Sequence, residues 1–169
     1  MERTVFFAHG RESGPWGAKI LALAEAARER DFMVESPDYS DLMNPDERVE
    51  RLVALCTGLG RPPVLVGSSM GAYVSIVASA AIRPVALFLM APAVYIPGYR
   101  EEEPVPFAGK TVIVHGWDDD IIPPSHVFRF ARINRTQLHL VADGHRLENQ
   151  IPFLVREFGM LLDDIRRHG

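Results

Sequence analysis

The sequence has few of the features that mark membrane, secreted or nucleic-acid-binding proteins. Its 169 residues include one cysteine, Cys56, which excludes an internal disulfide and fits the reducing cytoplasm where we expect the protein to act. No apolar run approaches the ~18 residues of a membrane-spanning helix, and the first residues lack a signal-peptide pattern. Long basic runs are missing and the net charge is −4, so we expect neither nucleic acid nor a membrane surface as a partner.

Short apolar segments instead alternate with longer segments of helical period. Strands are predicted at 4–9, 33–38, 63–68, 85–92, 111–116 and 136–142, and helices at 18–30, 44–56, 69–81, 124–133 and 151–165. Several strands are apolar throughout, which is typical of strands covered on both faces. We therefore expect one α/β domain over 1–169, a doubly wound, mostly parallel sheet of about six strands with helices on both faces.

Such a sheet places its functional site at the carboxyl ends of the strands, and one strand end here carries two adjacent serines. A tight turn from strand 63–68 into helix 69–81 needs residues almost without side chains two positions before and after the corner. Gly67 and Gly71 meet this condition for Ser69. Val66 and Met70 stand at the same spacing around Ser68 and would clash. Ser69 is therefore the predicted nucleophile, and Ser68 is expected to be structural.

A serine nucleophile needs a base, and His145 has the best placement among the six histidines. It follows the last predicted strand on a loop that contains a glycine, which brings it to the same sheet edge as Ser69. The others are expected to be structural or at the surface: His9 and His115 as hydrogen-bonded residues before a glycine turn, and His126, His139 and His168.

The carboxylate that orients this base is expected directly after strand 111–116. Asp118, Asp119 and Asp120 stand there in succession. A metal site is disfavoured because three consecutive side chains diverge, whereas hard cations need several converging oxygens. One of the three should orient His145, and the spacing does not distinguish among them.

Three motifs in this order resemble the α/β-hydrolase superfamily: Ser69 between its glycines, an aspartate after a later strand, and His145 after the last. The acidic loop of the superfamily commonly reads His-Gly-x-x-Asp-x-x-x-Pro. Laid on residues 115–123, that pattern implies Asp119 as the acid, with Asp118 as the alternative. The His-Gly pair at 9–10 is similar to the superfamily's first loop. It implies an oxyanion hole formed by the backbone N–H groups of Arg11 and Met70.

The resemblance implies a small, cap-less serine hydrolase, similar to esterases. It would cleave a small ester or other acyl substrate through an acyl-enzyme, without a cofactor or a metal. A thioesterase or peptidase with the same triad remains open, as does a non-catalytic binding protein, although the intact Ser, Asp and His argue against the last. Trp16, Tyr95 and Trp117 are expected at the rim of the site as candidate substrate contacts.

Overall fold

The computed structural model describes residues 3–168, which form six strands and five α-helices. A helix follows every strand except the fourth, which a long loop joins to the fifth. The strands are β1 (Thr4–Ala8), β2 (Met33–Glu35), β3 (Val64–Ser68), β4 (Ala86–Met90), β5 (Lys110–Gly116) and β6 (Gln137–Val141). The helices are α1 (Ala18–Arg28), α2 (Pro45–Cys56), α3 (Met70–Ile82), α4 (Pro124–Asn134) and α5 (Ile151–His168). A short 3₁₀ turn, Glu148–Gln150, leads into α5.

The six strands form one sheet in the order β2-β1-β3-β4-β5-β6, and all five pairings are parallel. The chain starts at β1, moves outward to β2, and then crosses back to β3 on the other side of β1. At such a reversal, the loop after one strand turns to one face of the sheet and the loop after its neighbour turns to the other face. A crevice therefore opens above the carboxyl ends of β1 and β3, where Ala8 is paired with Gly67.

The sheet is buried on both faces, as its continuous apolar strands predict. Val66 packs into the core beneath α1 and α5, and its neighbour Leu65 packs into the core beneath α2, α3 and α4. The doubly wound α/β fold is confirmed, and the sheet is wholly rather than mostly parallel. Within residues 3–168, no helix is both long enough and apolar enough to cross a bilayer.

Several predicted elements differ from the observed ones at their ends. The strand predicted at 33–38 stops at Glu35, because the Ser36 hydroxyl donates a hydrogen bond to the Pro15 carbonyl and the chain leaves the sheet. The helix predicted to begin at residue 69 begins at Met70. The last helix extends past 165 to His168, because basic residues in its final turn face the negative end of the helix dipole.

The long irregular segment of the sequence, loop 93–109, is fastened to the body of the fold. The Phe107 backbone N–H donates to Ser79 Oγ at 2.8 Å. Arg129 forms an ion pair with Glu103 at 2.8 Å. This loop therefore lies against the helical face formed by α3 and α4.

The corner between β3 and α3 depends on close packing of backbone against backbone. A Cβ atom added at Gly71 would lie 1.9 Å from the carbonyl oxygen of Ala8, at the end of β1. A Cβ added at Gly67 would lie 2.4 Å from the carbonyl oxygen of Gly71. Since backbone atoms of a paired strand or of a helix cannot move aside without breaking hydrogen bonds, both positions require glycine.

Replacing Gly71 with alanine should therefore destabilise the protein strongly. We expect the free energy of unfolding, measured by urea denaturation, to fall by roughly 3 kcal/mol, as for overpacked cores. Gly14→Ala is the matched control, because a Cβ there meets no atom within 4 Å. It should change the free energy by less than about 0.5 kcal/mol. Equal effects of the two substitutions would contradict this account of the corner.

Candidate active site

Ser69 occupies the corner between β3 and α3 in a backbone conformation that few residues other than glycine adopt. Its φ is 55° and its ψ is −116°. Its N–H donates to the Met90 carbonyl at 2.9 Å, and its carbonyl accepts from the N–H groups of Ala72 and Ala93 at 3.0 and 3.1 Å. These bonds hold the strained residue in place, and strain of this kind is concentrated at functional sites.

The Ser69 hydroxyl faces His145, and His145 faces Asp119. His145 Nε2 lies 3.0 Å from Ser69 Oγ, and its Nδ1 lies 2.7 Å from Asp119 Oδ2. An ionised carboxylate can only accept, so the ring proton is on Nδ1. Nε2 then carries the free electron pair and accepts the hydrogen bond from the serine hydroxyl. The arrangement can move a proton from Ser69 to an imidazole held by a buried carboxylate.

Asp119 is selected from the three aspartates by the turn that follows it. Its Oδ1 accepts hydrogen bonds from the N–H groups of Ile121 and Ile122 at 2.9 and 2.8 Å, which fix the carboxylate with Oδ2 toward His145. Its side chain is buried, whereas Asp118 and Asp120 are exposed. The structure thus brings Asp119 to the histidine, and leaves the alternative acid at the surface.

Opposing effects act on the pKa of Asp119. Burial favours the neutral form, but the hydrogen bonds from His145 and from the Ile122 and Ile121 amides outweigh it and lower the pKa below its ordinary value. His115 lies behind the carboxylate, with Nε2 at 3.3 Å from Asp119 Oδ2 and 3.0 Å from the Ile122 carbonyl. Burial lowers the pKa of His115, so it is a neutral donor to these oxygens.

The loops that carry Asp119 and His145 are locked together. A Cβ on Gly116 would lie 2.2 Å from the Asp143 carbonyl oxygen, so the loops touch through their backbones. The Asp118 N–H donates to that same carbonyl at 3.0 Å. The Asp143 carboxylate in turn accepts from the Gly144 N–H at 2.8 Å. The separation between acid and base is therefore set by backbone contacts.

The turn after β1 lies directly beside the serine. A Cβ on Gly10 would be 3.8 Å from Ser69 Cβ and 3.6 Å from the Ser68 carbonyl oxygen. Met70 is the first residue of α3, so its N–H has no carbonyl one turn earlier to bond. The amides of Arg11 and Met70, which the sequence motifs indicate as an oxyanion hole, thus belong to two segments that meet at Ser69.

The other predicted residues occupy different environments. Ser68 Oγ lies 3.4 Å from Lys19 Nζ. The Trp16 ring lies under the Arg28 guanidinium, 5.8 Å from its centroid. Trp117 follows β5 and is 59% exposed.

Tyr95 lies against α4. Its ring packs edge-on to Phe130 and to His126, and the Arg129 guanidinium stands 4.1 Å above it. Of the histidines predicted to be structural, His9 and His115 are both buried and hydrogen-bonded, which confirms that prediction.

Sequence reasoning missed two cations near the site. Lys19 Nζ donates to the Arg146 carbonyl at 2.6 Å, which ties α1 to the loop of His145. Arg48 is fully buried in α2 and bonds the turn after β1. A signal for Arg48 was present, since it precedes the buried residues Leu52 and Cys56 by one and two helical turns.

Comparisons with known proteins agree with the fold. A family model described as the alpha/beta hydrolase family matches residues 5–163. Protein XCC1541 from Xanthomonas campestris pv. campestris, of the alpha/beta hydrolase superfamily, is 34% identical with a TM-score of 0.87, over 96% of this chain and 99% of that one. No curated protein sequence matches the chain.

Two further solved structures share the fold at lower identity. XC6422 from Xanthomonas campestris, an α/β serine hydrolase without a lid, has a TM-score of 0.72 at 22% identity, over 92% of this chain and 81% of that one. Est1E from Butyrivibrio proteoclasticus has a TM-score of 0.78 at 16% identity, over 96% and 88%. At these identities the likeness concerns the fold alone.

The buried contact between Asp119 and His145 should make stability depend on pH. We expect Asp119→Asn to lower the free energy of unfolding by about 1.5–3 kcal/mol at pH 7, the usual range for a hydrogen bond to a charged group. The folded-state pKa of Asp119 lies below 3.8, so the wild type loses this contribution as the pH falls through that folded value. The difference between the two proteins should therefore shrink at low pH in urea titrations.

Asp118→Asn is the matched control, because Asp118 is an exposed neighbour of the same charge. It should change the free energy of unfolding at pH 7 by less than about 0.5 kcal/mol. A gap between Asp119→Asn and wild type that does not shrink as the pH falls well below 3.8 would refute the assignment of the depressed pKa to Asp119.

Proposed function

This chain belongs to the α/β-hydrolase family, and on that premise we propose that it is a serine hydrolase with Ser69 as its nucleophile. It is a small hydrolase, and within residues 3–168 it has no cap, as XC6422 has no lid. The observation that carries the proposal is the continuous line of contacts from Asp119 through His145 to Ser69, at 2.7 and 3.0 Å. Both lie within the range required for proton transfer between a base and its nucleophile.

The proposed reaction begins with attack of Ser69 Oγ on the carbonyl carbon of an ester. His145 Nε2 takes the hydroxyl proton as the new C–O bond forms, and Asp119 stabilises the imidazolium. The tetrahedral intermediate collapses when His145 returns the proton to the departing alcohol, which leaves an acyl group on Ser69. A water molecule, deprotonated by His145, then attacks the acyl-enzyme, and His145 returns that proton to Ser69 Oγ as the C–O bond breaks and the carboxylic acid leaves. The cycle uses no cofactor.

The negative charge that develops on the substrate oxygen needs donors that are already in place. We assign this role to the backbone N–H groups of Arg11 and Met70, which flank Ser69 from two different segments. Each such donor typically contributes about 3–4 kcal/mol to the transition state. Met70 also opens α3, whose N-terminal end favours negative charge.

A small ester is the substrate class that we propose. Within residues 3–168, no segment forms a cap over Ser69, so the site is open to a compact or surface-exposed acyl group. Trp117, exposed two residues before Asp119, is a candidate contact for such a group. Ferulic acid is bound to Est1E, which shares the fold, and this supports testing small esters of carboxylic acids first.

Labelling with a fluorophosphonate probe tests the nucleophile. The probe should modify Ser69, located by mass spectrometry of the digested protein, and Ser69→Ala should abolish the adduct. The same substitution should lower kcat for p-nitrophenyl acetate by about 10³-fold or more. His145→Ala should also prevent labelling, since the hydroxyl loses its base.

Ser68→Ala is the control for the neighbouring hydroxyl. It should be labelled at Ser69 at nearly the wild-type rate, because Ser68 Oγ lies near Lys19 rather than His145. A folded wild-type protein that is neither labelled nor active toward a panel of esters and thioesters would overturn the proposed function. A non-catalytic binding protein would then be favoured.

Substitution of the acid provides a second test. Asp119→Asn should lower kcat by about 10³- to 10⁴-fold, because an amide can no longer hold the Nδ1–H tautomer of His145. Asp118→Asn should leave kcat within about twofold of wild type, since that carboxylate is exposed. The reverse ranking would assign the role of the acid to Asp118.

A further inference from the structure

Arg48 is a buried cation without a partner of opposite charge. Its side chain is 1% exposed, and its guanidinium bonds three backbone carbonyls. Nε donates to Leu42 at 2.7 Å, and Nη1 donates to His9 at 3.1 Å and to Gly10 at 3.2 Å. No carboxylate among residues 3–168 forms an ion pair with it, and Nη2 is buried without a hydrogen-bond partner there.

This environment is energetically unfavourable for a guanidinium. Burial of a charge without a counter-charge disfavours the folded state, and an apolar side chain of similar volume commonly stabilises a protein better. Arg48 continues the buried stripe of α2 that contains Leu52 and Cys56, so a leucine or a methionine would fill the same space. Packing therefore does not account for a guanidinium at this position, and we look to its hydrogen bonds.

The carbonyl of Gly10 and the N–H of Arg11 belong to the same peptide unit. No peptide bond among the described residues is cis, and in a trans peptide these two groups point in opposite directions. The Gly10 carbonyl is held by two donors, Arg48 Nη1 and, at 2.8 Å, His9 Nδ1. Fixing this carbonyl toward α2 therefore fixes the direction of the Arg11 N–H on the opposite side of the peptide.

The tautomer of His9 is set by its second contact. His9 Nε2 accepts from the Tyr39 N–H at 2.9 Å, so the ring proton is on Nδ1, which donates to Gly10. His9 is neutral in this arrangement, and Arg48 supplies the charge. A cation bonded to a carbonyl polarises the peptide and makes its N–H a stronger donor.

From this geometry we propose that Arg48 is a positioning residue for the oxyanion hole, and that it orients and polarises the peptide between Gly10 and Arg11. The inference rests on the proposed function, because it concerns the donor that the mechanism assigns to Arg11. Arg48 does not touch the substrate in this role. Its effect should appear in the stabilisation of the transition state, with little effect on binding of the substrate.

The experiment compares Arg48→Met, Arg48→Lys and the control Arg166→Met. Arg166 lies near the end of α5, which carries no residue of the proposed site, and loses a surface ion pair with Asp31 when replaced. The measurements are kcat and KM for p-nitrophenyl acetate, the thermal midpoint, and the affinity for a trifluoromethyl ketone. Such a ketone adds to a serine nucleophile, and its oxygen then carries the negative charge that the hole must bind.

Arg48→Met should lower kcat by about 10- to 100-fold, because one oxyanion donor becomes misdirected without being removed. KM should stay within about twofold, and ketone affinity should fall by the same factor as kcat. The pH dependence of kcat should keep its shape, since the contact between His145 and Asp119 is untouched. Arg48→Lys should give an intermediate loss, because it keeps the charge without the fork of donors.

Several results would overturn the inference. One is a folded Arg48→Met protein with wild-type kcat and ketone affinity, even with a lower thermal midpoint, since Arg48 would then serve stability alone. If Arg48→Met does not fold, Arg48→Lys decides, and unchanged kcat and ketone affinity in it would count against the role.

The proposed function is tested separately by the wild type. If the wild type takes no fluorophosphonate at Ser69 and shows no turnover, the proposed function fails and the inference fails with it. If the wild type is active and Arg48→Met and Arg166→Met behave alike, only the inference fails.

Discussion

The close contact between the first turn of α3 and the end of β1 is the constraint on which the rest of the site depends. Gly71 lies against the Ala8 carbonyl with no space for a side chain, so α3 must begin immediately after β3. This leaves Ser69 no helical or extended conformation, and its φ of 55° is the result. The same contact brings Ser69 beside the Gly10 turn. One backbone packing arrangement thus sets both the exposure of the serine and its distance from the amide that would face it.

The parallel sheet then brings distant parts of the sequence together. Ser69 follows β3, Asp119 follows β5 and His145 follows β6, so the three side chains leave the same edge of the sheet from strands that are not all neighbours. His145 reaches past β5 because the backbone of its loop rests directly on Gly116. Backbone contacts at Gly71 and Gly116 therefore determine the positions of the nucleophile and the base, and contacts of flexible side chains do not.

Much of this arrangement could be predicted from single residues and their spacing. The two serines could be distinguished because the requirement for glycine on both sides of the corner is steric and local. The choice among three consecutive aspartates could not be made in this way. It depends on how the chain turns at Ile121 and Ile122, whose amides bind Asp119, and nothing in the residue types specifies that turn. Resemblance to known sequences supplied the choice.

Arg48 escaped prediction for a different reason. From a single sequence, an arginine on a helix is expected to be solvent-exposed. Its place on the apolar stripe of α2 is equally consistent with a long side chain that extends to water. Its burial depends on the carbonyls of His9 and Gly10, which lie 39 and 38 residues earlier in the sequence. The apolar stripe of α2 therefore marks the position of Arg48, but the sequence does not show the distant carbonyls that bury it.

Under the proposed mechanism, the buried charges of Asp119 and Arg48 both favour the same step of the reaction. Attack by the serine separates charge, with a positive imidazolium at His145 and a negative oxygen on the substrate. Asp119 lies behind the imidazole, and Arg48 lies behind the peptide that would face the oxygen. A negative group behind the developing cation and a positive group behind the developing anion both favour that separation, and burial reduces the screening of each. Burial of either charge alone is unfavourable in the folded protein. In the transition state, both charges stabilise the separation of charge between His145 and the substrate oxygen.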